Sequence, residues 1–246
     1  MARALNAKEF LNKKFEVLPF TGKWRDAFGE PETNFSMIIY GKSGNGKTEL
    51  AVMFMRYMTG FGKCLYDSFE QGFSRSLQDA WRRQKIEDVS NHTLIVHKER
   101  FEDLVERLRK KKSPHTVFID SIQYIKLTYE QWQFLKETFP RKRFIVIAHA
   151  QGDDPKGAAA AAIEFDVDIK LLVKGFKVYP KSRFGGNEPF VFYEKGHANW
   201  LAKQNKGGVK AAPPSNKPAE LPFTSENKEV ETTPANLGSI IQNSQN

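Results

Sequence analysis

Short apolar runs alternate with amphipathic segments over most of the chain. The apolar runs predict six strands, at residues 35–40, 63–67, 93–96, 116–119, 144–148 and 167–173. Helical spacing of apolar residues predicts four helices, at residues 47–59, 73–85, 98–111 and 129–138. In the third helix, Phe101, Leu104 and Leu108 fall on one face. Strands that alternate with helices in this way indicate an α/β fold, with a mostly parallel, twisted sheet flanked by helices.

The pattern changes after residue 167, where we expect no further helices. Two short runs, 177–179 and 190–193, are separated by a Gly-Gly turn and predict a C-terminal antiparallel hairpin at the edge of the sheet. From about residue 203 the chain is rich in proline and polar residues and has too little apolar surface to offset the entropy of ordering. The predicted organisation is an N-terminal extension (1–34), an α/β domain (35–202) and a disordered tail (203–246), whose residues 237–241 are a candidate docking motif for a protein partner.

Charge and cysteine content narrow the class of protein. The net charge of +9 favours an anionic partner, and nucleic acid is the usual one. Basic runs at 107–112 and 141–143 are candidate contacts, although solvated ends of helices would have the same composition. The single cysteine, Cys64, excludes an intrachain disulfide, and no apolar run is long enough to span a membrane. The first residues also lack the apolar stretch of a signal peptide, so we expect a cytoplasmic protein.

One motif lies between the first predicted strand and the first predicted helix. It reads Gly41-Lys42-Ser43-Gly44-Asn45-Gly46-Lys47-Thr48 and fits the phosphate-loop pattern G-x-x-x-x-G-K-[ST]. Glycines let backbone N–H groups approach a polyphosphate, and the following helix presents its positive end to the anion. The motif predicts ATP binding, with Lys47 contacting the terminal phosphates and the Thr48 hydroxyl binding Mg²⁺.

Two acidic residues follow predicted strands. Asp120 ends the strand 116–119, where a carboxylate would hold Mg²⁺ beside the nucleotide. Glu70 follows the strand 63–67, where a carboxylate would orient and polarise the attacking water. Position alone allows an alternative for Glu70, an acid at a helix N-terminus that is stabilised by the helix dipole.

In this combination the chain resembles the RecA-type ATPase core, in the branch of DnaB-type helicases, RadA-type repair ATPases and KaiC-type ATPases. The resemblance is carried by the phosphate loop and by the segments 66–70, 120–123, 144–149, 162–168 and 181–185, in the order of the family. It implies a RecA-like P-loop NTPase fold and a catalytic role for Glu70. It further implies that His149 senses the γ-phosphate, and that Lys181 and Arg183 reach the nucleotide of a neighbouring subunit.

The resemblance implies a homo-oligomer, either a ring or a filament, that hydrolyses ATP at subunit interfaces and acts on single-stranded DNA in replication, recombination or repair. The region of the family's first DNA-binding loop, 124–128, is short here, and that of the second, 151–157, carries two acids. Because binding to the phosphate backbone requires Lys or Arg, these departures disfavour strand exchange. They favour a core-only ATPase of the type found in phages and mobile elements.

Two alternatives remain open at this point. The first is a KaiC-type regulatory or assembly protein that is switched by ATP and binds no nucleic acid. The second is a P-loop kinase, which would need an acceptor pocket and a basic lid, and the sequence has no lid-like arginine cluster. Stimulation of ATP hydrolysis by DNA distinguishes the leading interpretation from both.

Overall fold

The computed structural model describes residues 3–207, so residues 237–241 and most of the predicted tail lie outside the described part. The strands are β1 (Ser36–Gly41), β2 (Cys64–Ser68), β3 (Thr93–Val96), β4 (Thr116–Asp120), β5 (Arg143–Gln151), β6 (Asp154–Pro155), β7 (Ile169–Lys174), β8 (Lys177–Ser182) and β9 (Phe190–Val191). The helices are α1 (Ala7–Leu11), α2 (Gly22–Phe28), α3 (Lys47–Met58), α4 (Arg75–Arg83), α5 (Phe101–Arg109), α6 (Ile122–Ile125), α7 (Tyr129–Thr138), α8 (Ala158–Asp166) and α9 (Glu194–Gly207).

The strands form one mixed sheet in the order β3-β2-β4-β5-β1-β7-β8-β9. The six strands from β3 to β7 along this order are parallel to their neighbours. β8 and β9 continue the sheet antiparallel, and the short β6 pairs with the end of β5. The predicted α/β architecture, with a mostly parallel sheet and a C-terminal antiparallel hairpin, is confirmed.

The two faces of the sheet bury different layers of helices. Successive side chains of a strand point to opposite faces, and β1 is apolar on both. Ile39 packs in one cluster with Phe54 of α3, whereas Ile38 packs in another with Leu104 of α5 and Trp132 of α7. Because both faces are covered, the parallel strands are continuous apolar runs rather than alternating ones.

The region before β1 contributes to the core. Trp24 and Phe28 of α2 are buried, as is Phe20, and all three contact the ring of Phe54. Aromatic rings bury a large area each, so this cluster ties residues 20–28 to the face of the sheet that carries α3.

The expectation that helices stop after residue 167 is wrong, because α9 runs from Glu194 to Gly207. Its side of contact with the domain is small. His197 Nδ1 lies 2.6 Å from the Gly175 carbonyl oxygen, and the Trp200 ring lies where a Cβ on Gly175 would be. A helix that rests on so few apolar residues has a weak sequence pattern, which explains why periodicity did not predict it. Among residues 3–207, no helix has the length and apolar character needed to cross a bilayer.

Candidate active site

Five of the residues predicted to form a site lie at one edge of the sheet. The parallel strands β1, β2, β4 and β5 all end there. In the strand register Gly41 is opposite His149, and Ser68 is opposite Asp120. Lys47 and Thr48 begin α3 just after β1, and Glu70 follows β2 by two residues. In open α/β sheets, ligands bind at this carboxyl edge.

The glycine loop, residues 42–46, joins β1 to α3. Gly46 has φ +89°, and a Cβ there would lie 2.7 Å from the Phe176 ring, so the position requires glycine. The β7–β8 turn holds the loop from the other side. The backbone N–H of Gly175 donates to Asn45 Oδ1 at 3.1 Å, and that of Phe176 donates to the Asn45 carbonyl at 3.3 Å. The loop is therefore anchored before any ligand binds.

Lys47 is a buried cation at the start of α3. Its side chain is only 8% exposed, and Nζ donates to the Lys42 carbonyl at 3.2 Å. Burial lowers the pKa of Lys47, and the nearby carboxylates of Glu70 and Asp120 oppose that effect. A desolvated ammonium with three donors, facing two carboxylates, attracts a further anion strongly.

Asp120 is a buried carboxylate at the end of β4 and is only 1% exposed. Burial raises its pKa to about 6, although the Tyr66 hydroxyl donates to Oδ2 at 2.6 Å and Lys47 lies nearby. Asp120 is therefore ionised at neutral pH without full compensation, which favours a bound cation. The Thr48 hydroxyl supplies a second hard oxygen at the same edge.

These two oxygens fit Mg²⁺, which takes one or two protein ligands and completes its octahedron with water and substrate phosphates. Within residues 3–207, no group of three His, Cys, Asp or Glu side chains comes together to hold a metal without such help.

Glu70 is linked to both neighbouring strands. Its backbone N–H donates to the Asp120 carbonyl at 2.9 Å, and its Oε2 lies 3.3 Å from His149 Nε2. The interpretation of Glu70 as a helix N-terminal acid is wrong, because α4 begins at Arg75 and is capped by Ser74, whose hydroxyl accepts from the Leu77 N–H at 3.2 Å.

Three glutamine and tyrosine side chains complete the site and were not predicted. Tyr66 holds Asp120, and Gln71 Nε2 donates to the Thr48 hydroxyl at 3.0 Å. Gln123 Oε1 accepts from the His149 N–H at 3.1 Å, and its Nε2 donates to the Lys156 carbonyl at 2.9 Å. Only the tyrosine had a signal in the sequence, because a polar ring in an apolar strand needs a buried hydrogen-bond partner.

A groove of about 320 Å³ opens beside these residues. It runs from Gly44, Lys47 and Thr48 past Glu70 to Arg83 of α4. The site therefore combines a backbone cradle, a buried cation, two carboxylates and an elongated opening.

The structure does not bring Lys181 and Arg183 to this groove. Lys181 pairs with Lys170 near the start of β7, at the amino edge of the sheet. Arg183 lies beyond the end of β8, 3.4 Å from Asp168 Oδ1, so the expectation that both side chains leave one strand is wrong. The hairpin turns the chain back before residue 181, which places both cations at the edge opposite Lys47.

The basic runs are only partly solvated. Lys110, Lys111 and Lys112 are exposed, as expected of a helix end. Arg107 instead pairs with Glu99 at 2.7 Å, and Arg143 is 4% exposed and donates to the Phe61 carbonyl at 2.9 Å. The interpretation as solvated ends of helices is therefore wrong for Arg107 and Arg143.

Asp67 lies buried under the site in β2. It is fully buried, accepts from the Glu99 N–H at 3.4 Å, and has no partner at Oδ2. Burial raises its pKa to about 7. The folded chain keeps this proton between about pH 4 and pH 7, where the unfolded chain has lost it, so this group's contribution to stability is lost as the pH rises through that window.

Asp67→Asn is expected to remove this pH dependence. The neutral amide avoids burying a charge, so the variant should gain about 2–4 kcal/mol over the wild type between pH 4 and pH 8, at 1.36 kcal/mol per pKa unit. Urea unfolding of both proteins at several pH values measures the difference. The exposed Asp26→Asn is the control and should show none of it; a difference that is constant with pH would contradict the prediction.

Comparison with known proteins adds no assignment to this geometry. No protein-family model matches the chain, and no match was found among curated proteins. The functional interpretation therefore depends on the fold and on the residues of the site.

Proposed function

We propose that this protein is a Mg²⁺-dependent, RecA-like P-loop ATPase that acts on DNA in replication, recombination or repair. One observation carries the proposal. The glycine loop, Lys47, Asp120, Glu70 and His149 come from four separate parts of the chain and converge on one groove. The phosphate-loop motif explains the first two, and hydrolysis explains why carboxylates stand beside a site for a polyanion.

In this proposal the glycine loop and the first turn of α3 bind the phosphates of ATP. Backbone N–H groups at the start of a helix are free to donate to an anion, and the helix dipole adds to the attraction. Lys47 neutralises the terminal phosphates. Because it is desolvated and already faces Glu70 and Asp120, its position is set before ATP binds.

Asp120 and the Thr48 hydroxyl would hold the metal. Bound Mg²⁺ bridges phosphate oxygens and neutralises the charge that develops during phosphoryl transfer. Tyr66 orients Asp120, and Gln71 orients Thr48 by donating to its oxygen. That donation leaves one lone pair on the hydroxyl oxygen for a cation.

Glu70 would orient the attacking water and accept its proton. It lines the same groove as Lys47 and Thr48, within reach of the end of a bound triphosphate. His149 lies 3.3 Å from Glu70 and would report the state of the γ-phosphate to Gln123, which accepts from its backbone N–H.

The positions of Lys181 and Arg183 support assembly. A subunit does not bring either cation to its own groove, because they lie at the opposite edge of its sheet. Head-to-tail contact between copies would bring the amino edge of one subunit towards the groove of the next, in a ring or a filament.

The charge distribution supports a nucleic-acid partner. The net charge is +9, and Lys110, Lys111 and Lys112 are exposed. In the 151–157 segment, Asp153 lies 3.1 Å from Lys174, which compensates one of the two acids. Single-stranded DNA is the proposed partner of the assembled protein.

Lys47→Ala tests the proposal. Loss of a charge-assisted hydrogen bond, worth about 1.5–3 kcal/mol, should weaken ATP binding about 10- to 100-fold and stop detectable turnover. The measurements are ATP affinity and steady-state hydrolysis, each with and without single-stranded DNA. The exposed Lys8→Ala is the control and should behave as the wild type.

Wild-type turnover by the Lys47→Ala variant would contradict the assignment of the glycine loop. Hydrolysis that depends on Lys47 but is not changed by DNA would instead favour a KaiC-type regulatory protein.

A further inference from the structure

The far end of the groove has a structure that phosphate binding does not use. Arg83 lines it, with Ala80 and Phe176 nearby. Both Nη2 and Nε of Arg83 donate to Glu49 Oε2, at 2.6 and 3.2 Å. The Glu49 side chain is 17% exposed whereas that of Arg83 is 60% exposed. The contact therefore fixes the guanidinium plane through one edge and leaves much of the group open to solvent.

The remaining polar groups around Arg83 are bonded to one another. Glu49 Oε1, the second oxygen of the carboxylate, accepts from Gln84 Nε2 at 2.7 Å. Each oxygen of Glu49 thus has a donor from the protein. The arrangement presents a flat cation, but its acceptors are already in use.

We propose that Arg83 is the platform on which the base of the nucleoside triphosphate stacks, and that the site discriminates little between adenine and guanine. This inference rests on the proposed function. With the phosphates at Lys47 and Thr48, the groove leads the rest of the nucleotide towards Arg83. A fixed guanidinium stacks well on a planar ring, and the small Ala80 leaves space beside it.

The weak discrimination follows from the bonding of Glu49. A site rejects the wrong base strongly when its own buried donors or acceptors would be left unpaired. Here Arg83 and Gln84 satisfy Glu49 before the nucleotide arrives. Stacking then supplies the affinity, and stacking tolerates any base because each has a π face.

The experiment measures the affinity of ATP, GTP and inorganic tripolyphosphate, each with Mg²⁺, for the wild type and three variants. Arg83→Ala removes the platform, and Arg83→Lys keeps a cation for Glu49 but loses the plane. Arg82→Ala is the matched control, because Arg82 is the adjacent arginine of α4 and pairs with Asp79 at 3.3 Å.

The wild type should bind ATP and GTP with affinities within about threefold, because stacking barely separates the two purines. Arg83→Ala and Arg83→Lys should weaken both nucleotides about 5- to 20-fold, the range of an Arg–ring stack, and leave tripolyphosphate unchanged. Arg82→Ala should change none of the affinities.

Unchanged ATP affinity in Arg83→Ala would overturn the inference, as would an equal loss of ATP and tripolyphosphate, which would place Arg83 on the phosphates. A preference above about tenfold for one purine would overturn the claim of weak discrimination. A wild type that binds neither nucleotide nor tripolyphosphate would overturn the proposed function together with this inference, so the two failures are distinguishable.

Discussion

Glu70→Gln is expected to slow ATP hydrolysis by about 10²- to 10⁴-fold, the range for removal of a general base. The amide keeps the shape of the side chain but does not take a proton from water. ATP affinity should be unchanged or slightly higher, because the variant removes a negative charge from a groove that binds a polyanion. The expected signature is therefore a fall in kcat without a rise in Kd.

Single-turnover hydrolysis and equilibrium binding of ATP separate the two effects. The exposed Glu87→Gln is the matched control and should leave both unchanged. A variant that loses affinity but keeps its rate would show that Glu70 only supports the structure around Asp120, whose carbonyl accepts from the Glu70 N–H.

Arg183→Ala is expected to reduce turnover by about 10³- to 10⁵-fold while ATP binding is kept, if Arg183 acts as an arginine finger for a neighbouring subunit. Within its own chain Arg183 makes a 3.4 Å ion pair with Asp168, and its side chain is 61% exposed. An exposed pair contributes only about 0–1 kcal/mol, so its loss should not unfold the domain. A large loss of rate would therefore reflect the neighbouring active site.

Mixing tests the direction of this contribution. When Arg183→Ala is mixed with Glu70→Gln, some interfaces pair an intact Glu70 with an intact Arg183, and part of the activity should return. Arg141→Ala, which removes another exposed arginine, is the control and should keep full activity. If mixed oligomers form but no activity returns, Arg183 does not act across the interface.

The elements of the fold were predictable because they depend on local patterns. The apolar run of β1, the glycines before α3 and the spacing of Leu104 and Leu108 each express the geometry of one strand, turn or helix. The parallel sheet followed from their alternation. The segment Glu194–Gly207 is mostly polar, and its packing against Gly175 appears only once the chain is folded.

The grouping of the site depended on strand order. β4 lies between β2 and β5, and β5 lies next to β1, so Asp120 and His149 come to the same edge as Lys47. Strand pairing joins residues far apart in the chain, and periodicity carries no information about it. For the same reason the supporting contacts of Tyr66, Gln71 and Gln123 could not be read from their positions.

By itself the sequence determined the kinds of elements, their approximate limits and the glycine loop, because periodicity and turn residues act over a few neighbours. Only the tertiary structure decided that Arg143 is buried, that Lys181 and Arg183 lie at the opposite edge from Lys47, and that Glu49 holds Arg83 flat beside the groove. These outcomes depend on which surfaces meet. A charged side chain has the same sequence signal whether it ends in solvent, in an ion pair or under the core.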